Sequence, residues 1–276
     1  MPGELGRIAT NLNSMSVLLT LNSLNNKLSN TMERITTGQK VNRASDDPAA
    51  FALGRKQTVK IAFEQAAQNN IKEANSMLQV AESQQGRVQD LLMDLTADLQ
   101  RAMSDTVGST ERNVINTKLQ QYLKEVADIA STTKFNGVKL LSADALNFVI
   151  QVGETGKDVL TATISGVSLS SLGLNGISAT TRSAASAALS AISKALSALT
   201  IRRENIGARM SRLNQKLEGL AVDILNTQAA RSLYLDADLA QEEVNLVKYQ
   251  ILQSATISML SQANFAPQAL LQLLPR

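Results

Sequence analysis

The sequence predicts a mainly α fold: an elongated helical coiled-coil bundle with a small β-hairpin region. Three observations carry this. The four prolines are Pro2, Pro48, Pro267 and Pro275, which leaves more than two hundred consecutive residues free of the residue that breaks helices most strongly. Aromatic residues are 3% of the chain and Trp is absent, so the core must come from Leu, Ala, Ile and Val, which suits helix packed on helix. Apolar residues also recur in sustained heptads.

The first helix is expected over residues 8–35, where Ile8, Leu12, Met15, Leu18, Leu19, Leu21, Leu24, Leu28 and Ile35 recur at helical spacing among Asn, Ser and Thr. Gly38 in TTGQK fits its stop, in the left-handed conformation that glycine adopts without penalty. Ser45, Asp46 and Asp47 before Pro48 then read as a new start, with Asp47 at the N-cap, Pro48 at the first helical position, and negative charge near the positive end of the dipole.

A coiled-coil seam follows in Ile71, Ala74, Leu78, Ala81, Gln85, Val88, Leu92, Leu95, Leu99 and Ala102, alternating steps of three and four, with Gln85 its only polar member. A shorter seam at Ile115, Leu119, Tyr122, Val126 and Ile129 supplies a third helix for the same bundle. In NFVIQVGETGKDVLTATISG, β-branched residues cluster around Gly153 and Gly156 as in a hairpin and its turn. A phosphate-loop reading of GETGKD fails: the leading glycine is at the wrong distance, Asp158 stands where Ser or Thr must ligate magnesium, and strands lie on both sides. The longest seam runs through Leu189, Ile192, Leu196, Leu199, Arg203, Ile206, Met210, Leu213, Leu217, Leu220 and Ile224. At about 1.5 Å per residue it is on the order of 50 Å long, which implies a rod.

Asp236 and Asp238 mark another start, with Asp238 capping and Gln241 at the reciprocal capping-box position. Beyond it the chain is apolar over more than half the helical circumference, through Val244, Val247, Ile251, Met259, Leu260, Phe265, Leu270 and Leu274. A helix apolar that far round needs cover on several sides. The other helices already pair with one another, so the terminal apolar residues are expected to meet those of further copies, ordering as many chains assemble.

The composition excludes much else. There is no Cys and no His, which removes disulfides, thiolate nucleophiles, Cys/His zinc sites and imidazole catalysis. No catalytic residue, cofactor or metal is expected; the aspartate pairs are explained by the helix ends they cap. Twenty-seven basic residues face 24 acidic ones, and the densest basic stretch, around Arg202, Arg203 and Arg209, has no interleaved aromatics, so no nucleic-acid partner is expected. No apolar run approaches the roughly 18 residues that cross a bilayer, so no membrane insertion is expected, and the N-terminus lacks the pattern of a cleavable signal peptide. By these rules alone the protein would be cytosolic.

Three stretches resemble bacterial flagellin: the residues from IATNLNSMS to DDPAAFALG, TKFNGVKLL at 133–141, and AARSLYLDADLAQEEVNLVKYQILQSATISMLSQANFAPQALLQLL. The resemblance covers nearly the whole chain. It implies that the terminal helices pair, with 1–44 and 235–276 as halves of an inner filament-core module, 45–180 as the first part of a rod domain and 181–234 as its last helix. It also implies a homopolymer outside the cell, reached without a cleavable signal peptide through the flagellar export apparatus, with an export chaperone, junction proteins and a filament cap as further partners. This overrules the cytosolic expectation. Only residues 147–180 lie where larger members insert outer domains, so the chain resembles a minimal form. Many flagellins carry a Gln-Arg-Val-Arg-Glu-Leu stretch read by the animal innate immune receptor for flagellin; here Met93–Leu99 reads MDLTADL, without the arginines, which counts against such recognition.

A hook–filament junction protein shares the terminal patterns, though FNGVKLL and SQANFAPQALLQLL favour flagellin. A membrane-active translocator would need a long apolar hairpin, and a hydrolase a nucleophile–base pair; neither can be assigned.

Overall fold

A computed structural model describes residues 11–142 and 145–272, with side chains as far as Phe265. The elements in order are α1 (Leu12–Thr37), α2 (Pro48–Ala102), α3 (Ser109–Thr132), β1 (Lys134–Phe135), β2 (Val138–Lys139), β3 (Ala145–Gln151), β4 (Val159–Ser165), α4 (Arg182–Leu235) and α5 (Leu239–Gln272). The chain divides into two compact units, Met1–Val59 with Asn226–Arg276 and Lys60–Leu225, and the divisions fall inside α2 and α4.

In the unit Lys60–Leu225 the core follows the heptads. Every seam residue from Ile71 to Ala102 is buried, because steps of three and four keep one stripe of α2 facing its neighbours. On α3, Ile115, Leu119, Val126 and Ile129 are buried, but Leu123 goes deeper than the expected Tyr122, whose hydroxyl favours a partly wet site. On α4 the deepest residues of the first turns are Ala185, Ala188, Ile192, Ala195 and Leu199, while Leu189 and Leu196, expected in the seam, pack beside it half-buried. Small alanines at the contact line let the helices approach closely; leucines fit the flanks.

Those same turns bear on the membrane expectation. Among the described residues α4 is the one helix long and apolar enough to cross a membrane by length and composition. Counting unbroken apolar runs misses it, because Ser186, Ser190, Ser193, Lys194 and Ser197 interrupt the alanines and leucines. The buried alanines of this stretch place its apolar face in the protein core.

β3 and β4 form an antiparallel hairpin in register Leu146↔Ile164, Phe148↔Ala162, Ile150↔Leu160. These pairs face the core, and Val149 between them is exposed, the two-residue period of a half-buried sheet. At the connecting turn Asp158 accepts the Thr155 hydroxyl at 2.6 Å and the Thr155 N–H at 3.0 Å. A second hairpin, β1 with β2, turns on Asn136 and Gly137, both at positive φ as a two-residue primed turn requires. The Asn-Gly pair in FNGV is the sequence signal for that hairpin, one that hydrophobic period alone does not register.

Candidate assembly surface on the terminal helix pair

In the other unit α1 and α5 run antiparallel. Asn11 caps α1, its Oδ1 accepting the Ser14 N–H at 3.0 Å, and its Nδ2 donates to the Ala263 carbonyl at 2.7 Å. Further along, Gln253 Nε2 donates to Asn25 Oδ1 at 2.7 Å, and Arg34 meets Glu242 at 3.2 Å. Leu24 and Thr31 of α1 and Glu242 and Thr256 of α5 are buried between the helices. Three of those four side chains are polar.

Val17, Leu21, Leu28 and Ile35 continue the inner face of α1 half-buried, and a further set of apolar side chains points the other way. On α5, Val244, Val247 and Ile251 follow steps of three and four along the face opposite Glu242 and Thr256, and all three are exposed, Ile251 at 64%. Met259 and Phe265 are exposed too. On α1, Leu12, Met15 and Leu19 form the matching stripe, Leu19 exposed at 71%, after which Asn22 and Asn26 continue the same face. An ordinary surface helix turns its apolar stripe inward; this pair turns much of it out.

The expected site residues therefore separate into groups. Leu24, expected among uncovered residues, is 7% exposed because it lies in the middle of the α1 stripe that faces α5. Leu28, Ile35 and Leu260 are half-buried. Ile8 and Leu274 lie outside the described residues, as does the Leu270 side chain. The rest are exposed.

The two helix joints lie side by side. Gly38 ends α1 at φ 69°, its N–H donating to the Arg34 carbonyl at 2.8 Å. Asp47 Oδ1 accepts from the Ala49 and Ala50 N–H groups, each at 3.0 Å, at the start of α2 with Pro48 in the first position. Asp46 acts one step earlier, where its Oδ2 accepts the Arg43 and Asn42 N–H groups at 2.9 and 3.1 Å and so shapes the turn before the helix. Those donors, Arg43 first, hold its carboxyl below the usual carboxylate range, helped by the charges of Arg34 and Arg43. Asp238 Oδ1 accepts the Gln241 N–H at 3.2 Å at the start of α5. Among the described hydrogen bonds the Gln241 side chain makes no return bond, so the capping box is half formed. Gln39 and Asp236 form an isolated antiparallel bridge that ties one joint to the other. Among the described residues no group of three or more Asp or Glu side chains is gathered as a metal site.

Two family descriptions match the chain: the bacterial flagellin N-terminal helical region over residues 8–145 and the bacterial flagellin C-terminal helical region over residues 189–274. The chain belongs to the bacterial flagellin family. A flagellin of Halalkalibacterium halodurans is 30% identical over 88% of this chain and 90% of its own length. A flagellar filament 30.7 kDa core protein of Treponema maltophilum is 29% identical over 96% of this chain and 98% of its own. A solved structure described as a flagellar hook-associated protein from Vibrio parahaemolyticus aligns with a TM-score of 0.58 at 15% identity, over 69% of this chain and 99% of that one, a likeness of fold alone. Flagellin membership, with relatives named as filament core proteins, supports a structural subunit of the filament over a junction protein.

Proposed function

We propose that this chain polymerises with copies of itself into an extracellular flagellar filament, and that the outward stripes of α1 and α5 are the surfaces that meet. The observation carrying this is a second, uncovered apolar face on the pair: Leu12, Met15, Leu19, Val244, Val247, Ile251, Met259 and Phe265 are exposed, in addition to the apolar residues that α1 and α5 enclose between them. Covering each half-exposed aliphatic side chain contributes on the order of 1 kcal/mol, which many identical contacts along a polymer multiply. The work done is mechanical, and no catalytic role is assigned. Family resemblance adds passage through the flagellar export apparatus with an export chaperone, and contact with junction proteins and a filament cap. Residues 1–44 and 235–276 make up the filament-core module on this reading, and 45–234 the rod.

The test is Ile251→Lys in the full chain, read by electron microscopy and thermal melting. Filaments should fail to form while the monomer melts within about 0.5 kcal/mol of its parent, as exposed substitutions do. Removing Met1–Thr37 or Asp238–Arg276 should likewise leave a soluble helical monomer. Polymerisation of either truncated chain would show that assembly resides elsewhere.

A further inference from the structure

The apolar seam between α2 and α4 in the unit Lys60–Leu225 repeats every seven residues. A shift of one heptad, about 10 Å along the axis, would set Leu, Ile and Ala against Leu, Ile and Ala again. Polar members of the seam distinguish the two registers. Gln85 is fully buried; its Nε2 donates to the Ser165 carbonyl at 2.9 Å, and its Oε1 is buried without a partner. Arg203 of α4 donates through Nε to Glu82 Oε1 at 3.0 Å and through Nη1 to Gln89 Oε1 at 2.9 Å, with a further bond from Nη2 to Glu82. The guanidinium packs over Gly86, where a Cβ would stand in ordinary contact with it, 3.6 Å from Nη2. Next to it Arg202 donates to the carbonyls of Gly166 and Ser171, the latter at 2.9 Å. One short stretch thus ties α2, α4 and the exit of β4 together. Sliding α4 by a heptad would separate Arg203 from both acceptors; the Arg203 and Glu82 side chains are about one-third exposed, at 36% and 34%, so water would replace only part of what is lost.

We propose that Gln85 and Arg203, with Glu82 and Gln89, form a register lock: a polar layer that selects one of several near-equivalent apolar alignments of α2 and α4. Gln85 Oε1 is a buried acceptor without a donor among the described residues, a cost that leucine at this seam position would not carry. A single polar seam residue fixes register in coiled coils generally, by making the wrong alignments bury unpaired groups.

The chain has no cysteine, so disulfide trapping reads register directly. Asn75→Cys with Asn214→Cys reports the observed alignment, in which these side chains bond at 2.8 Å. Asn75→Cys with Gly207→Cys or Ala221→Cys reports a one-heptad slip, because about 10 Å exceeds the roughly 7 Å that a disulfide spans between Cα atoms. In the parent background only the first pair should close. With Gln85→Leu and Arg203→Leu together, closure of a slipped pair should rise about tenfold or more. If the double variant loses its helical circular dichroism, Arg203→Leu alone, which removes the bonds from α4 to Glu82 and Gln89, is read in the same assay. Closure of the observed pair alone in a folded variant overturns the proposal. So does loss of folding in both variants, which would make these residues packing elements.

Discussion

Gly38 and Ala237 join the two helix breaks: the Gly38 carbonyl accepts the Ala237 N–H at 2.9 Å, and one step on, the Lys40 N–H donates to the Leu235 carbonyl at 2.7 Å. These breaks lie nearly two hundred residues apart in sequence. The chain thus leaves α1 and enters α5 through a stitched joint, whose geometry depends on Gly38 holding φ 69°.

Gly38→Val should therefore impair filament formation or alter filament shape while leaving the helicity of the Lys60–Leu225 unit unchanged, checked by electron microscopy and circular dichroism. A Cβ at this site would meet nothing within 4 Å, so the cost is backbone strain alone, roughly 1–2 kcal/mol or more for a β-branched residue. Gly38→Asn should recover most of the loss, since Asn tolerates the left-handed region.

Gly54 inverts the usual helix rule. It lies within α2, where alanine should stabilise by up to about 1 kcal/mol. A Cβ here would fall 2.5 Å from Cγ of the buried Leu235. Gly54→Ala should instead destabilise by about 1–3 kcal/mol through overpacking. Thermal melting checks the sign, and Leu235→Ala in the same chain should relieve part of the loss.

The Arg34–Glu242 pair is unequal, with Glu242 8% exposed and the Arg34 side chain 39%. Arg34→Met strands a carboxylate between α1 and α5 and should cost about 1–2 kcal/mol after allowance for the exposure of Arg34. Glu242→Gln should cost less. Urea denaturation of the two variants orders them; equal losses would mean that the charge of Glu242 is immaterial.

Two turns should loosen in acid. Asp158 is held below the ordinary carboxylate range chiefly by the Thr155 hydroxyl and then by the Thr155 N–H, as Asp46 is by the N–H groups of its own turn. A carboxyl whose folded pKa is depressed contributes its stability above the unfolded value of about 4 and loses it as pH falls through the lower folded value. Carbon NMR of these carboxyls should show both titrating below about pH 4. Asp46→Asn and Asp158→Asn should each weaken the acid dependence of the corresponding turn.

The heptads made most of the helices of the Lys60–Leu225 unit legible, since burial from Ile71 to Ala102 follows directly from spacing. Spacing alone could not choose between Leu196 and Ala195, or Tyr122 and Leu123, because adjacent residues both touch the seam and side-chain volume at the contact line decides which sinks deeper. The helix joints were legible because Gly, Asp and Pro act locally. The terminal stripes were legible as excess apolar surface but not as to which face each residue took: Leu24 looked like Leu19 until α5 was laid beside it. Arg34 and Glu242 carried no signal, being separated by the length of the chain.

Because α1 and α5 carry one apolar stripe toward each other and a second toward the outside, the proposed assembly places two separate selections on one pair of helices. On that proposal, a heat-tolerance screen of single molecules would pass substitutions at Ile251 or Leu19 without comment, and a screen for filament growth would reject them. Inventories of tolerated changes gathered from isolated protein would for this reason misjudge which positions the organism guards most closely.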